Sequence, residues 1–175
     1  MTNIVPFSAG DMDGKRQAAI VHAVVEGEKT DGIRKSLYDL QAAVGRELEP
    51  AECPLQHVFA PGAYARTMRI PAGTVIVGKI HKHAHLNILS QGTVCVMTET
   101  EGDRQLTGPL TMVSPPGTKR AVYAVTDAVW TTVHTLPRDN MTLDEIEAEV
   151  IAPTFEDYEQ FRLQGETMKQ IEVTK

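Results

Sequence analysis

The chain has 175 residues, 42% of them hydrophobic and 23% charged, with a formal net charge of −6. That length fits one domain that buries a core without disulfide help, and so ordinary a composition excludes a disordered tail or a fibrous repeat. Acidic residues spread along the chain leave no basic footprint for a phosphate backbone, and no apolar run is long enough to span a bilayer, so neither nucleic acid nor membrane is an expected partner.

The N-terminal Met-Thr-Asn-Ile-Val-Pro-Phe-Ser lacks the basic and apolar stretches of a secretory signal, which points to a cytoplasmic protein. Residues 1–50 read as a helical extension. Ile20, Val21, Val24 and Val25 recur on one face, a polar glycine-bearing break follows over 26–32, and Ile33, Leu37, Leu40, Val44 and Leu48 form a second apolar stripe.

At Pro50 the character changes. Short β-rich runs fall at 57–59, 64–70, 74–81, 85–89, 93–100, 104–107, 110–114, 120–125 and 129–135, divided by turns such as Pro61-Gly62, Gln91-Gly92 and Pro115-Pro116-Gly117. This rhythm predicts a sandwich or barrel over 51–137. After Pro137, Thr142 and Glu145 make a capping-box pattern that opens a helix over 143–151, and Thr154 with Asp157 resembles a second start before Phe155, Tyr158, Phe161 and Leu163. Residues 138–175 are therefore a second helical extension, with a polar, frayed last ten residues. Cys53 and Cys95 lack metal-type spacing and read as reduced structural thiols.

The chemistry concentrates in His81-Lys82-His83-Ala84-His85. On an extended strand alternate side chains share a face, so three imidazoles can point the same way and take iron, zinc, manganese, nickel or copper. A solvated histidine hairpin is the plainer reading. Three in alternation beside the apolar Val75-Ile76-Val77 and the run 86–89 favour a site. Trp130, Tyr64 and Tyr123 read as packing residues, and the acidic run 144–149 as the solvated face of a helix. No P-loop, dinucleotide fingerprint or nucleophile elbow is present.

Two stretches resemble the motifs of the cupins. Gly73-x5-Lys79-x-His81-x3-His85-x6-Gly92 keeps both glycines and all the spacings of the first cupin motif, and Pro115-Pro116-Gly117-Thr118-Lys119-Arg120 keeps the proline and glycine of the second. The resemblance covers about residues 55 to 136 and implies a mainly β double-stranded β-helix, or jelly-roll, barrel with a metal held inside.

The ligand positions depart from the cupin pattern: Lys79 stands at the first histidine, His85 at the glutamate, Arg120 at the second-motif histidine and Ala124 at the asparagine, so only His81 keeps its type. A rival register pairs His81 with His83 and puts Asn87 at the carboxylate position. A two-residue slip preserves the face, so odd-numbered residues point inward in both. His134, on the last predicted strand, is the best candidate to complete a metal set of His81, His83, His85 and His134; His57 is a weaker one, and His22 lies on a helix. Lys79 and Arg120 oppose a bare ion and suit an anionic small molecule.

Two functions follow from the resemblance. One is a metal-dependent small-molecule enzyme of dioxygenase, isomerase or lyase type, with a divalent iron, zinc, manganese or nickel ion and Lys79 and Arg120 holding an anionic ligand. The other is a non-enzymatic cupin, a structural or assembly module. The chain also resembles small single-domain cupins of bacterial viruses, which implies a virion or assembly partner and a place in the host cytoplasm or the virion. The uncovered stripes of both extensions predict a homodimer with a helical extension in its interface.

Overall fold

Period-two alternation from Leu55 onward needs two faces, one toward a core and one toward water, and the chain supplies them as two packed sheets. The structure, a computed structural model, describes residues 6–8, 30–47 and 50–173. In chain order its elements are β1 (Pro6–Ser8), α1 (Thr30–Glu47), β2 (Leu55–Ala60), β3 (Ala63–Ile70), β4 (Thr74–Val77), β5 (Ile80–His81), β6 (His85–Gln91), β7 (Thr93–Thr98), β8 (Gly102–Thr107), β9 (Leu110–Ser114), β10 (Arg120–Ala124), β11 (Ala128–Thr135), α2 (Leu143–Val150), β12 (Ile151–Ala152) and α3 (Phe155–Val173).

One antiparallel sheet runs β1-β4-β10-β7-β8 and the other β2-β3-β11-β6-β9. This is the jelly-roll barrel of the expected fold class, with helices at both ends. Its core is where the two inner faces meet: Met68, Ile70 and Trp130 from one sheet pack on Ile76, Val94 and Val122 from the other. Along β11 the alternation is plain, since Ala128, Trp130, Thr132 and His134 are buried while the residues between them are half-buried.

Two predicted elements differ in detail, while the predicted caps are present. The strand expected over 74–81 is two strands, because the Gly78 amide donates to the Arg120 carbonyl (2.8 Å) as the last rung, after which β5 pairs with β12 instead. Both C-terminal helices open on reciprocal caps: the Glu145 amide donates to Thr142 Oγ1 (3.3 Å) while the Thr142 amide donates to Glu145 Oε2 (2.8 Å), and Thr154 and Asp157 repeat the pattern. The last helix runs to Val173, past the point where fraying was expected. The stripe of Ile20, Val21, Val24 and Val25, and His22 with it, lies outside the described residues.

The other two stripes are covered by the chain's own barrel. Leu37, Leu40 and Val44 of α1 pack on Val77, Met97 and Ala121, and Tyr158 with Phe155 packs on Ile80 and Ala152. The Arg34 guanidinium on α1 also reaches the buried Glu99 carboxylate (3.2 Å), which accepts from the Lys119 amide (3.0 and 3.1 Å). The homodimer was expected because these stripes needed a partner, and that need is met within one chain. Leu163 of the last helix stays exposed, and so does the outer face of the second sheet, where Val58, Ala65, Val133, Leu86 and Val113 stand in register in one row across five strands; Leu48 lies outside the described residues. Val58, Leu86 and Val113 are 50%, 42% and 65% exposed.

Candidate metal centre

Strand parity and register assemble three imidazoles. His85 opens β6 and His134 is the last but one residue of β11, each one position beyond the Val133–Leu86 rung, so both face inward where Val133 and Leu86 face out. His81 comes from β5, which is held against this pair from two sides: Ile151 pairs with His81 in the β5–β12 ladder, and the Gly117 amide donates to the His81 carbonyl (2.8 Å). Gly117 has φ of 78°, and a side chain there would run into the Tyr158 ring, so only glycine lets the second-motif turn approach this strand.

One ring nitrogen from each of His81, His85 and His134 lies within 4.8 Å of the others. Ring centroids are 4.2 Å apart for His81 and His85, 4.9 Å for His81 and His134, and 4.8 Å for His85 and His134. His81 stacks on both of the others, while His85 and His134 are tilted by 32°; the ring nitrogens are close enough to share an ion once the rings turn toward it.

The protonation state fits that use. Burial, then the neighbouring imidazoles of His85 and His134 and the guanidiniums of Arg66 and Arg120, holds His81 well below the usual histidine range. Burial drives His85 down to about 4, against the hydrogen bond to the His83 carbonyl, which raises it, and with help from Arg120 and Arg66. His134 falls to about 3, through burial first and then His85, Arg66 and His83. All three are neutral near pH 7. The tautomer of His85 follows from its contact: Nδ1 lies 3.2 Å from the His83 carbonyl, which only accepts, so Nδ1 carries the proton and Nε2 the free lone pair. His81 Nδ1 is buried with no partner. A buried ring nitrogen with no protein partner, beside two other imidazoles, fits a metal ligand.

His83, on the same pentapeptide, is not in the cluster. It lies in the link between β5 and β6, where the alternation of an extended strand does not hold; its ring meets Phe161 edge-on, and Nε2 is 3.6 Å from Glu149. Its carbonyl, rather than its ring, serves the site. Lys79 faces the same cavity but is ion-paired with Glu147 of α2. His57 is hydrogen-bonded through Nδ1 to the Tyr64 hydroxyl (2.7 Å), and Trp130 is a core residue whose Nε1 donates to Asn87 Oδ1 (2.9 Å). Cys53 and Cys95 are both free thiols.

Inward from the imidazoles lies a cavity of about 70 Å³. Arg66, Asn87 and Arg120 line its polar side and Met68, Ile76 and Trp130 its apolar side. Arg120 was expected there and Arg66 was not, although Arg66 stands at an even-numbered position of the strand that carries Tyr64 and Met68 inward. The C-terminal extension roofs the site: Leu143, Ile146 and Val150 of α2 lie over His81 and His134, with Ile146 only 2% exposed. Among the described residues no carboxylate joins the three imidazoles, and no helix is long and apolar enough to cross a membrane.

No family model matches this chain, and no curated protein does. Among solved structures it is similar to KdgF from Halomonas sp., at 22% identity over 54% of this chain and 89% of that one, with a TM-score of 0.44. It is also similar to a RmlC-like cupin family protein with a double-stranded β-helix fold from Methanocaldococcus jannaschii (10% identity, 48% of this chain and 80% of that one, TM-score 0.42). A cupin superfamily protein from Desulfitobacterium hafniense is similar at 9% identity over 51% of this chain and 83% of that one, with a TM-score of 0.44.

Proposed function

We propose that this barrel binds a divalent transition metal through His81, His85 and His134 and uses it on a small anionic molecule, as an enzyme of dioxygenase, isomerase or lyase type. The observation that carries the reading is the convergence of three neutral imidazoles, one with a buried unpartnered nitrogen, at the head of a cavity. Imidazole suits iron, zinc, nickel and copper, and three protein ligands leave coordination positions for a ligand. Such an ion supplies Lewis acidity toward a bound oxygen atom. The chain's own groups orient the donors, through the His83 carbonyl and the β5–β12 ladder, and exclude water with the apolar face of α2.

A second reading, a non-enzymatic module in which the ion is structural, is favoured by that same roof, because Ile146 and Val150 close the side of the imidazoles away from the cavity. Elemental analysis of untagged protein, before and after incubation with Zn²⁺, Fe²⁺, Mn²⁺ and Ni²⁺, tests the metal. About one ion per chain is expected in the parent, lost in His81→Ala, His85→Ala and His134→Ala and kept in His83→Ala. No uptake by the parent overturns both readings; an ion that resists exchange and a protein that turns over no small acid favour the second.

Pairing with a second copy belongs to the same proposal, and so does a virion or assembly partner for the second reading. With both helical stripes covered, the surface left for a homodimer is the exposed Val58, Leu86 and Val113 row.

A further inference from the structure

The cavity below the imidazoles is built from donors that lack acceptors. Asn87 is fully buried, its Oδ1 is fixed as an acceptor by the Trp130 indole (2.9 Å), and its Nδ2 therefore faces the cavity as a donor with no partner. Arg120 gives one nitrogen to Ser114 Oγ (2.6 Å) and keeps Nε buried and unpartnered. Arg66 has no ion pair among the described residues, since Glu147, the acid that acts on it, is taken by Lys79. Each orphaned buried donor destabilises the fold unless something in the cavity accepts from it.

Charge points the same way. Three neutral imidazoles leave a divalent ion its full charge, and two guanidiniums line the same cavity with no carboxylate among its lining residues. Cations this close repel one another unless an anion lies between them. The rest of the wall is apolar, from Met68, Ile70, Ile76, Val122 and the Trp130 ring, which offers nothing to the oxygens of a wholly polar anion. At about 70 Å³ the space holds roughly five water-sized groups.

We infer that Arg66, Asn87 and Arg120 form the recognition site for a small carboxylic acid of roughly four to six non-hydrogen atoms, whose carboxylate accepts from these donors and whose short carbon end lies on the apolar wall. Arg66 and Asn87 are the new assignments. The site rests on the proposed metal reading for the ion at its head, but its donors are the chain's own and are tested apart from it.

The test is calorimetric titration of zinc-loaded protein with pyruvate, with pyruvamide (the uncharged molecule of the same shape) and with inorganic phosphate. Pyruvate is expected to bind one per chain, and pyruvamide and phosphate at least about tenfold more weakly, pyruvamide for want of charge and phosphate for want of a carbon end. Arg66→Gln and Arg120→Gln are each expected to weaken pyruvate by about tenfold while zinc stoichiometry by elemental analysis stays at the parent value. Pyruvate and pyruvamide binding alike, phosphate matching pyruvate, or unchanged affinity in both arginine variants overturns the assignment. If a variant fails to fold, the three ligands on the parent protein decide. If the chain takes up no zinc, the metal reading fails by itself, and the same titration on metal-free protein decides this one: pyruvate must still be preferred to pyruvamide.

Discussion

Acidification probes the three inward imidazoles of the metal-free protein. Their folded-state pKa values are lowered, to about 4 for His85 and about 3 for His134 and in the same direction for His81, whereas an unfolded chain titrates near 6.5. Below pH 6.5 the unfolded chain therefore binds more protons than the folded one. Stability is intact above 6.5 and is lost as pH falls from there toward 4. At pH 5.5 each imidazole held neutral contributes a loss of about 1 kcal/mol, so the three together remove roughly 3–4 kcal/mol, a large part of a typical domain's 5–15 kcal/mol. His57, lowered by burial and by Arg66, adds in the same direction. Urea unfolding with chelator present, at pH 7.5, 6.5 and 5.5, measures it. His134→Gln is expected to flatten the pH dependence by roughly a third, since one titrating group has gone. Equal stability at pH 7.5 and 5.5 would refute the reasoning and return these rings to solvent.

Two further outcomes are expected. Glu99→Ala removes the acceptor of the Lys119 amide and the partner of Arg34, and is expected to cost about 3 kcal/mol, read as a lower urea midpoint; an unchanged midpoint would show that α1 is not anchored there. Light scattering of the parent protein is expected to give a dimer that Leu86→Asp or Val113→Asp converts to monomer, because a charge within the exposed row must be desolvated on pairing; a monomeric parent would remove the homodimer.

The barrel was legible because its signals are local. Period-two alternation and paired turn residues locate most strands to within one or two positions, as with Leu110–Ser114 and Ala128–Thr135, and Thr142 with Glu145 located a helix start. Parity put His81 and His85 on inward faces, and His134 was a candidate only because a late strand can return beside the histidine strand. Parity misplaced His83 because it needs a continuous strand, and the chain leaves extended geometry between His81 and His85. Lys79 shows a second limit: its inward direction was readable, but its partner Glu147 is 68 residues away, on an acidic face that reads as solvated.

Arg66 was missed for a different reason, and Asn87 stood at the carboxylate position of the rival register without being read as a cavity donor. Arg66 falls at no motif position, and an inward arginine on a strand is indistinguishable in sequence from one that reaches to the rim. What separates the two is whether a carboxylate waits for it, and that depends on where β5, β12 and α2 close. The C-terminal extension is thus part of the site rather than an appendage. Its β12 fixes the strand that carries His81, its Ile146 and Val150 cover the imidazoles, and its Glu147 engages Lys79, leaving Arg66 and Arg120 as the cations that face the cavity. A barrel with the same strands but without this roof would open His81 and His134 to water, raise their proton affinity toward the ordinary histidine value, and lose the neutral lone pairs that an ion requires.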